Sequence, residues 1–159
     1  WGSFAMLRSD MCCKRGQKGY LEIEVVGVDT SSQWGFCAEG HASIQGRTPD
    51  GAGDDDWSWG VDGTRSKTWH RGKTKPYPVR WSSGDIVGLA CDLTDGAGAG
   101  KVHVSLNGEF EGPSGTSFDL AQPAKFPFCC GAKAPEALWA CVTGKSGSVR
   151  VNLGQRAFV

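Results

Sequence analysis

The residues best equipped for chemistry fall in one short run, Arg65-Ser-Lys-Thr-Trp-His-Arg-Gly-Lys73, where an indole stands among cations. Between positions 65 and 80 there are six Lys or Arg residues and no carboxylate, whereas 54–56 just upstream is three aspartates. Cations around an aromatic suit noncovalent recognition: the ring supplies contact area at small entropy cost, and the cations attract a carboxylate or phosphate. Two readings of the strip stand side by side. Either it draws in an acidic peptide or a phosphate, or it is a solvated edge whose charges stop a strand from pairing with another chain.

Other constellations promise less. Glu22 and Glu24 share one face of a strand, the placement glycosidases use for an acid and a nucleophile, but hydrolysis would also need further carboxylates and an aromatic groove. His41, His70 and His103 are not spaced as metal ligands, and no serine or cysteine sits in a nucleophile motif. Three adjacent acids at 54–56 cannot all turn toward one calcium ion in an extended chain. The seven cysteines contain no Cys-x-x-Cys pair. Cys91 and Cys141 lie inside apolar alternations, where a free thiol packs as a small hydrophobe. These features lead us to expect no enzyme activity, metal or cofactor, and a reducing, intracellular, cytoplasmic setting.

Composition agrees. Charges balance at 17 of each sign, so no overall field recruits nucleic acid or an anionic membrane surface. The longest apolar runs are too short for membrane insertion or for a signal peptide core. At 159 residues the chain suits one domain, 1–159, with a sizeable core. It opens on Trp1, from which we expect a domain excised from a longer protein.

The elements that must position the run follow from period-two alternation. In Tyr20-Leu-Glu-Ile-Glu-Val, Leu21, Ile23 and Val25 share one face, and Tyr20, Glu22 and Glu24 share the other. Further strands are predicted at 33–38, 58–61, 67–70, 85–92, 101–106, 126–130, 137–142 and 148–153. The segment 41–56 lacks periodicity and reads as an exposed connection, 75–78 as a turn, and Asn107-Gly108 as a hairpin turn. The Gly-rich 94–100 reads as a mobile turn. Because no window shows a helical face, the fold class is all-β, a two-sheet antiparallel sandwich with little or no helix. Alternation places Trp59 and Val61 in the core and leaves Trp69 as the exposed indole. Trp34 and Trp139 are expected in the core, Trp81 as a cap of the sandwich, and Trp57 at a loop end.

The ordered motifs Gly19-Tyr-Leu-Glu-Ile-Glu-Val, Ser58-Trp-Gly-Val-Asp-Gly, Gly84-Asp-Ile-Val-Gly-Leu-Ala-Cys-Asp-Leu, Ser105-Leu-Asn-Gly and Val149-Arg-Val-Asn-Leu-Gly resemble the SPRY domain family. Three departures, Leu21, Trp139 and Leu153, keep an apolar side chain where the family has other residues. The resemblance implies a bent, concanavalin-like β-sandwich that binds proteins or peptides through loops at one end, without catalysis, and gives Glu22 and Glu24 a structural role. Members occur in ubiquitin-ligase components, ion channels and scaffold proteins, so the fold leaves the partner open. By the same resemblance Trp69 is the aromatic of the binding face, and Arg65, Lys67, Arg71 and Lys73, which flank it in the sequence, are read as its charged rim. Val142, Thr143 and Gly144 form a contacting loop, and Arg8 lies in the first binding loop. The expected partner is an acidic protein or peptide segment, including other domains of a parent chain. A sugar-binding domain is the rival and would need Trp57 and Trp69 exposed side by side.

Overall fold

Strands form in this chain wherever alternate residues can be buried between two layers. The computed structural model describes residues 5–27, 30–41, 51–94, 100–120 and 135–159, in which eleven strands and no helix occur. They are β1 (Ala5–Lys14), β2 (Lys18–Gly27), β3 (Gln33–Ala38), β4 (Ser58–Asp62), β5 (Lys67–His70), β6 (Lys73–Pro76), β7 (Ile86–Asp92), β8 (Lys101–Leu106), β9 (Thr116–Asp119), β10 (Ala137–Gly144) and β11 (Ser148–Asn152). One antiparallel sheet runs β1-β10-β3-β4-β5-β6 and the other β11-β2-β7-β8-β9. The all-β sandwich is therefore the observed architecture. The strand expected at 126–130 and the glycine-rich turn after Thr94 fall outside the described residues.

Between the sheets, Trp34, Phe36, Trp59, Val61 and Leu138 meet Ile23, Val25, Val87, Leu89, Val102 and Val104, all nearly or fully buried. Trp59 and Val61 belong to this core as alternation requires, and truncating a buried indole like Trp59 costs about 3–5 kcal/mol. Trp81 packs on Trp34 at 4.7 Å between ring centroids and closes that end of the core. Trp139 departs from expectation. It pairs with Cys37 on the outer face of the six-stranded sheet, the face turned away from the other layer, and packs with Cys37, Ala52 and Cys141 in a separate small cluster.

That second cluster exists because part of the segment read as an exposed connection is buried. Gly51, Ala52 and Gly53 lie flat on the outer face. Gly60 leaves the room: a Cβ there would stand 2.9 Å from the Ala52 carbonyl carbon. The Ala52 amide donates to the Thr143 hydroxyl at 3.2 Å, and the Gly53 amide donates to the Ser58 hydroxyl at 2.8 Å. A polar loop can be buried when its amides find such acceptors.

Two turns share one geometry. Asn107 and Gly108 both take positive φ (52° and 81°), as the hairpin expectation requires, but only the bridge Leu106 to Glu109 follows, and β8 takes its ladders from β7 and β9. Arg71 and Gly72 (59° and 65°) form the same two-residue turn between β5 and β6.

Candidate recognition site

The site begins with Asp62, the last residue of β4. Fully buried, its carboxylate accepts from the Thr64 amide (2.9 Å), the Thr64 hydroxyl (2.7 Å) and the Arg65 amide (2.7 Å). This side chain winds 63–66 into a tight turn and also accepts from Arg65 Nε. Arg65 is thereby folded back so that its guanidinium lies 4.9 Å from the Trp69 ring centroid. Lys67 Nζ stands 6.0 Å from the same ring. The half-buried indole thus lies beneath two cations, and its buried Nε1–H has no acceptor among the described residues.

Register fixes what surrounds it. Trp69 pairs with Gly60 and Thr74, Gly60 with Gly35, Gly35 with Cys141, and Cys141 with Arg8. Directly paired residues project to the same face, so Arg8 and Trp69 are on one outer surface, four strand spacings or about 19 Å apart. Arg8 is stacked on Trp139, with its guanidinium 5.0 Å from that ring. The loop 51–56 lies between the two Arg–Trp stacks. Gly53 is pressed so close to Trp69 that an added Cβ would come within 2.5 Å of its Cβ, carbonyl carbon and oxygen.

Of the residues expected at the site, Trp69, Arg65 and Lys67 come together. Arg71 sits beside them but is engaged internally: its Nε is 3.3 Å from Asp56 Oδ1, and its amide donates to the Asp55 carbonyl at 3.1 Å. Lys73 does not join the rim. It pairs with His70 and so projects to the opposite face of the sheet from Trp69. His70 likewise turns inward and stacks on Trp59 (5.2 Å, 12°) with Nδ1 2.8 Å from the Ser58 carbonyl. Burial pushes this imidazole below its ordinary pKa.

Val142, Thr143 and Gly144 are the end of strand β10 rather than a loop, because that segment is paired on both sides by β1 and β3. Val142 packs against the core. Thr143 is fully buried and donates to the Gln33 carbonyl at 2.6 Å while accepting from Ala52, so it anchors the covering loop. These residues line a cleft of about 500 Å³ with Leu7, Trp34 and Val149. That cleft is not beside Trp69: β3 and β4 intervene, a separation of about 14 Å. Arg8 is corrected in the same way, being on strand β1 rather than in a loop.

The aspartates at 54–56 diverge as expected. Asp54 accepts from the Gln33 amide (2.9 Å) and the Gly51 amide (2.8 Å), Asp55 meets His41 Nδ1 (2.7 Å) and the Ser58 hydroxyl (2.7 Å), and Asp56 holds Arg71. Of the two indoles that a sugar platform would need, Trp57 is exposed and Trp69 half-buried. Trp57 lies over Gly40, with its Cγ 2.6 Å from where a Cβ would be, and Trp69 lies beneath Arg65. Glu22 is buried and accepts from the Tyr20 hydroxyl (3.0 Å), Asn152 Nδ2 (3.2 Å) and the Val159 amide (2.7 Å), while Glu24 is bound by Arg150 at 2.6 Å. Burial, followed by the Glu22 carboxylate, lifts the Tyr20 phenol to about 12. Both glutamates hold structure. Sequence reasoning missed Asp62 and Gly53, although Asp62-Gly-Thr-Arg carries the signal of a side chain capping its own turn.

Two antiparallel sheets packed around one core define the class, an antiparallel β-sandwich. The family model for the SPRY domain matches residues 18–138, and the chain belongs to the SPRY domain family. A solved human SPRY domain is 15% identical, with a TM-score of 0.72 over 99% of this chain and 89% of that one. The SPRY domain of human HERC1 is 13% identical, with a TM-score of 0.61 over 98% and 86%. SPRY domains generally serve as protein-interaction modules.

Proposed function

We propose that this SPRY domain captures an acidic segment of another protein on the outer face of its six-stranded sheet, with Trp69 as the anchor. The observation that carries the reading is the Trp69 indole, half-buried beneath Arg65 and Lys67 with its N–H lacking an acceptor. Lys67 has no carboxylate partner among the described residues, and Arg65 is shared with a fully buried Asp62. A ligand carboxylate drawn to these cations shifts Arg65 off the ring and opens the indole to contact. A ligand carbonyl that then meets Nε1–H relieves a buried unpaired donor, worth about 1–3 kcal/mol. Gly144, paired only by β1 at the end of β10, would supply a backbone contact about 14 Å away, so a ligand touching both places needs about five extended residues. Because the sheet already holds Trp69 and its neighbours in place, little ordering is required on binding.

The test is capture of partners from lysate by wild type, Trp69→Ala and Lys67→Glu side by side. Trp69→Ala should weaken the principal partner by roughly 30-fold, the scale of a hot spot, and Lys67→Glu should mainly slow association. Equal recovery by all three proteins removes Trp69 from the site. Micromolar binding on a glycan array with no captured protein overturns peptide recognition. If the ligand is another domain of a parent protein, capture is empty and Trp69→Ala instead alters assembly of the longer chain.

A further inference from the structure

Cys13 and Cys91 approach each other from opposite sheets. Cys13 pairs with Leu138 and turns inward from β1, whereas Cys91 pairs with Gly19 and Val102 and turns inward from β7. Both sulfurs converge over Gly19, where an added Cβ would stand 3.1 Å from Cys91 Sγ and 3.6 Å from Cys13 Sγ. The missing side chain of Gly19 is the space in which the thiols meet. They also line, with Gln17, Tyr20 and Leu153, a cleft of about 460 Å³ that opens between β1 and the second sheet. Cys13 is half-buried at that opening and Cys91 lies behind it, 3% exposed.

No other thiols among the described residues combine contact with access. Cys37 and Cys141 also touch, but both are buried beneath the loop 51–56. Cys12 pairs with Trp139 and faces away from Cys91 across the sheet. Meanwhile β1 has a structural weakness that a cross-link would remedy: it is an edge strand, and its ladder to β10 is interrupted between Arg8 and Cys12.

We propose that Cys13 and Cys91 form a redox modification site, a thiol pair that glutathione disulfide converts into an inter-sheet disulfide clamping β1 to β7. The Cys13 thiolate attacks one sulfur of glutathione disulfide, that S–S bond breaks, and one glutathione thiolate leaves. Cys91 then gives up its proton and attacks the Cys13 sulfur, expelling the second glutathione thiolate. Two protein thiols are oxidised and one glutathione disulfide is reduced to two thiols. Burial is the main reason both cysteines sit above the ordinary thiol range, so the thiolate is scarce and the exchange slow. In a reducing compartment the pair stays as thiols; under oxidising conditions it closes a loop of about 80 residues.

The whole chain is incubated with glutathione disulfide, quenched by alkylation and mapped by mass spectrometry without reduction. A linked Cys13 to Cys91 peptide pair is expected in wild type and in Cys12→Ser, and none in Cys13→Ser. The unfolding midpoint of oxidised wild type should rise by about 10 °C and return on adding dithiothreitol. The proposal fails if glutathione remains on Cys13 as a stable adduct, if Cys12 is what joins Cys91, or if both thiols are still alkylated. Because the linkage is read in wild type, no variant has to fold for the outcome to count.

Discussion

Replacing Gly53 by alanine should damage stability and partner capture together, and a second glycine supplies the control. Gly53 holds φ at +99° and Gly84 at +93°, so an alanine at either position pays a similar backbone cost, about 1–2 kcal/mol. At Gly84 that is the whole cost, since an added Cβ meets nothing within 4 Å. At Gly53 the Cβ lands within 2.5 Å of Trp69 backbone atoms that are tied into the β4 and β6 ladders and cannot retreat. The loop must lift instead, straining the hydrogen bonds from Ala52 to Thr143 and from Gly53 to Ser58, each worth about 1 kcal/mol. Gly53→Ala should therefore lose about 4 kcal/mol and Gly84→Ala about half as much. For a chain of this size that means midpoint losses of roughly 12 °C and 6 °C. Urea titration and calorimetry measure both, and capture from lysate, run well below either midpoint, reports the site. Equal stability losses would refute the steric argument. Full capture by Gly53→Ala would show that the loop does not shape the site.

Asp62→Ala should cost about 2 kcal/mol in urea unfolding, mostly from the capped turn amides, because the partner Arg65 is exposed enough to recover its hydration. It should also weaken capture as much as Arg65→Ala does, and capture at the wild-type level would rule out Asp62 as the residue that positions Arg65. His70 is held neutral by burial, so the unfolded chain binds the extra proton. Stability should be full above the ordinary histidine pKa and fall as pH drops through it, and His70→Gln should flatten that slope in unfolding between pH 7.5 and 5. An unchanged slope would assign the dependence to other groups. Glu22→Gln should cost about 1–2 kcal/mol and speed exchange of the Val159 amide, which Glu22 accepts at 2.7 Å; unaltered protection there would remove Glu22 as the anchor of 153–159.

The strands that alternation located are those with a layer to bury against. β2, β3, β4, β5, β7, β8, β10 and β11 were all legible in this way. The three that escaped are β1, β6 and β9, and each is a sheet edge. β6 is Lys-Thr-Lys-Pro, exposed at every residue, and β1 leaves Leu7 and Met11 at 65% and 72% exposure. An edge strand is held mainly by main-chain hydrogen bonds on one side, and those leave little trace in side-chain type. Lys and Pro on β6 are also the residues that discourage a further strand from adding there, which fits the solvated-edge reading for 73–76.

Trp59 and Trp69 fall on opposite faces because a turn with an even number of residues, 63–66, joins β4 to β5, so positions ten apart on these two strands have opposite parity. What local parity cannot carry is distance across the sheet. The segments 65–69 and 142–144 are in one sheet, yet β3 and β4 come between them, and only the completed strand order fixes the gap. Nor does the sequence reveal that 51–53 will lie on the outer face, since that burial depends on three coincidences: a bare Cα at Gly60, a Thr143 hydroxyl from a distant strand, and a Ser58 hydroxyl that accepts from the Gly53 amide. Each is an unremarkable small or polar residue until pairing aligns them. A bare Cα at Gly60 leaves room for backbone to settle on the sheet, and the chain's own Ala52 has done so. Beside that loop the Trp69 indole is left half-buried beneath Arg65 and Lys67 rather than open to solvent, as alternation alone would have it.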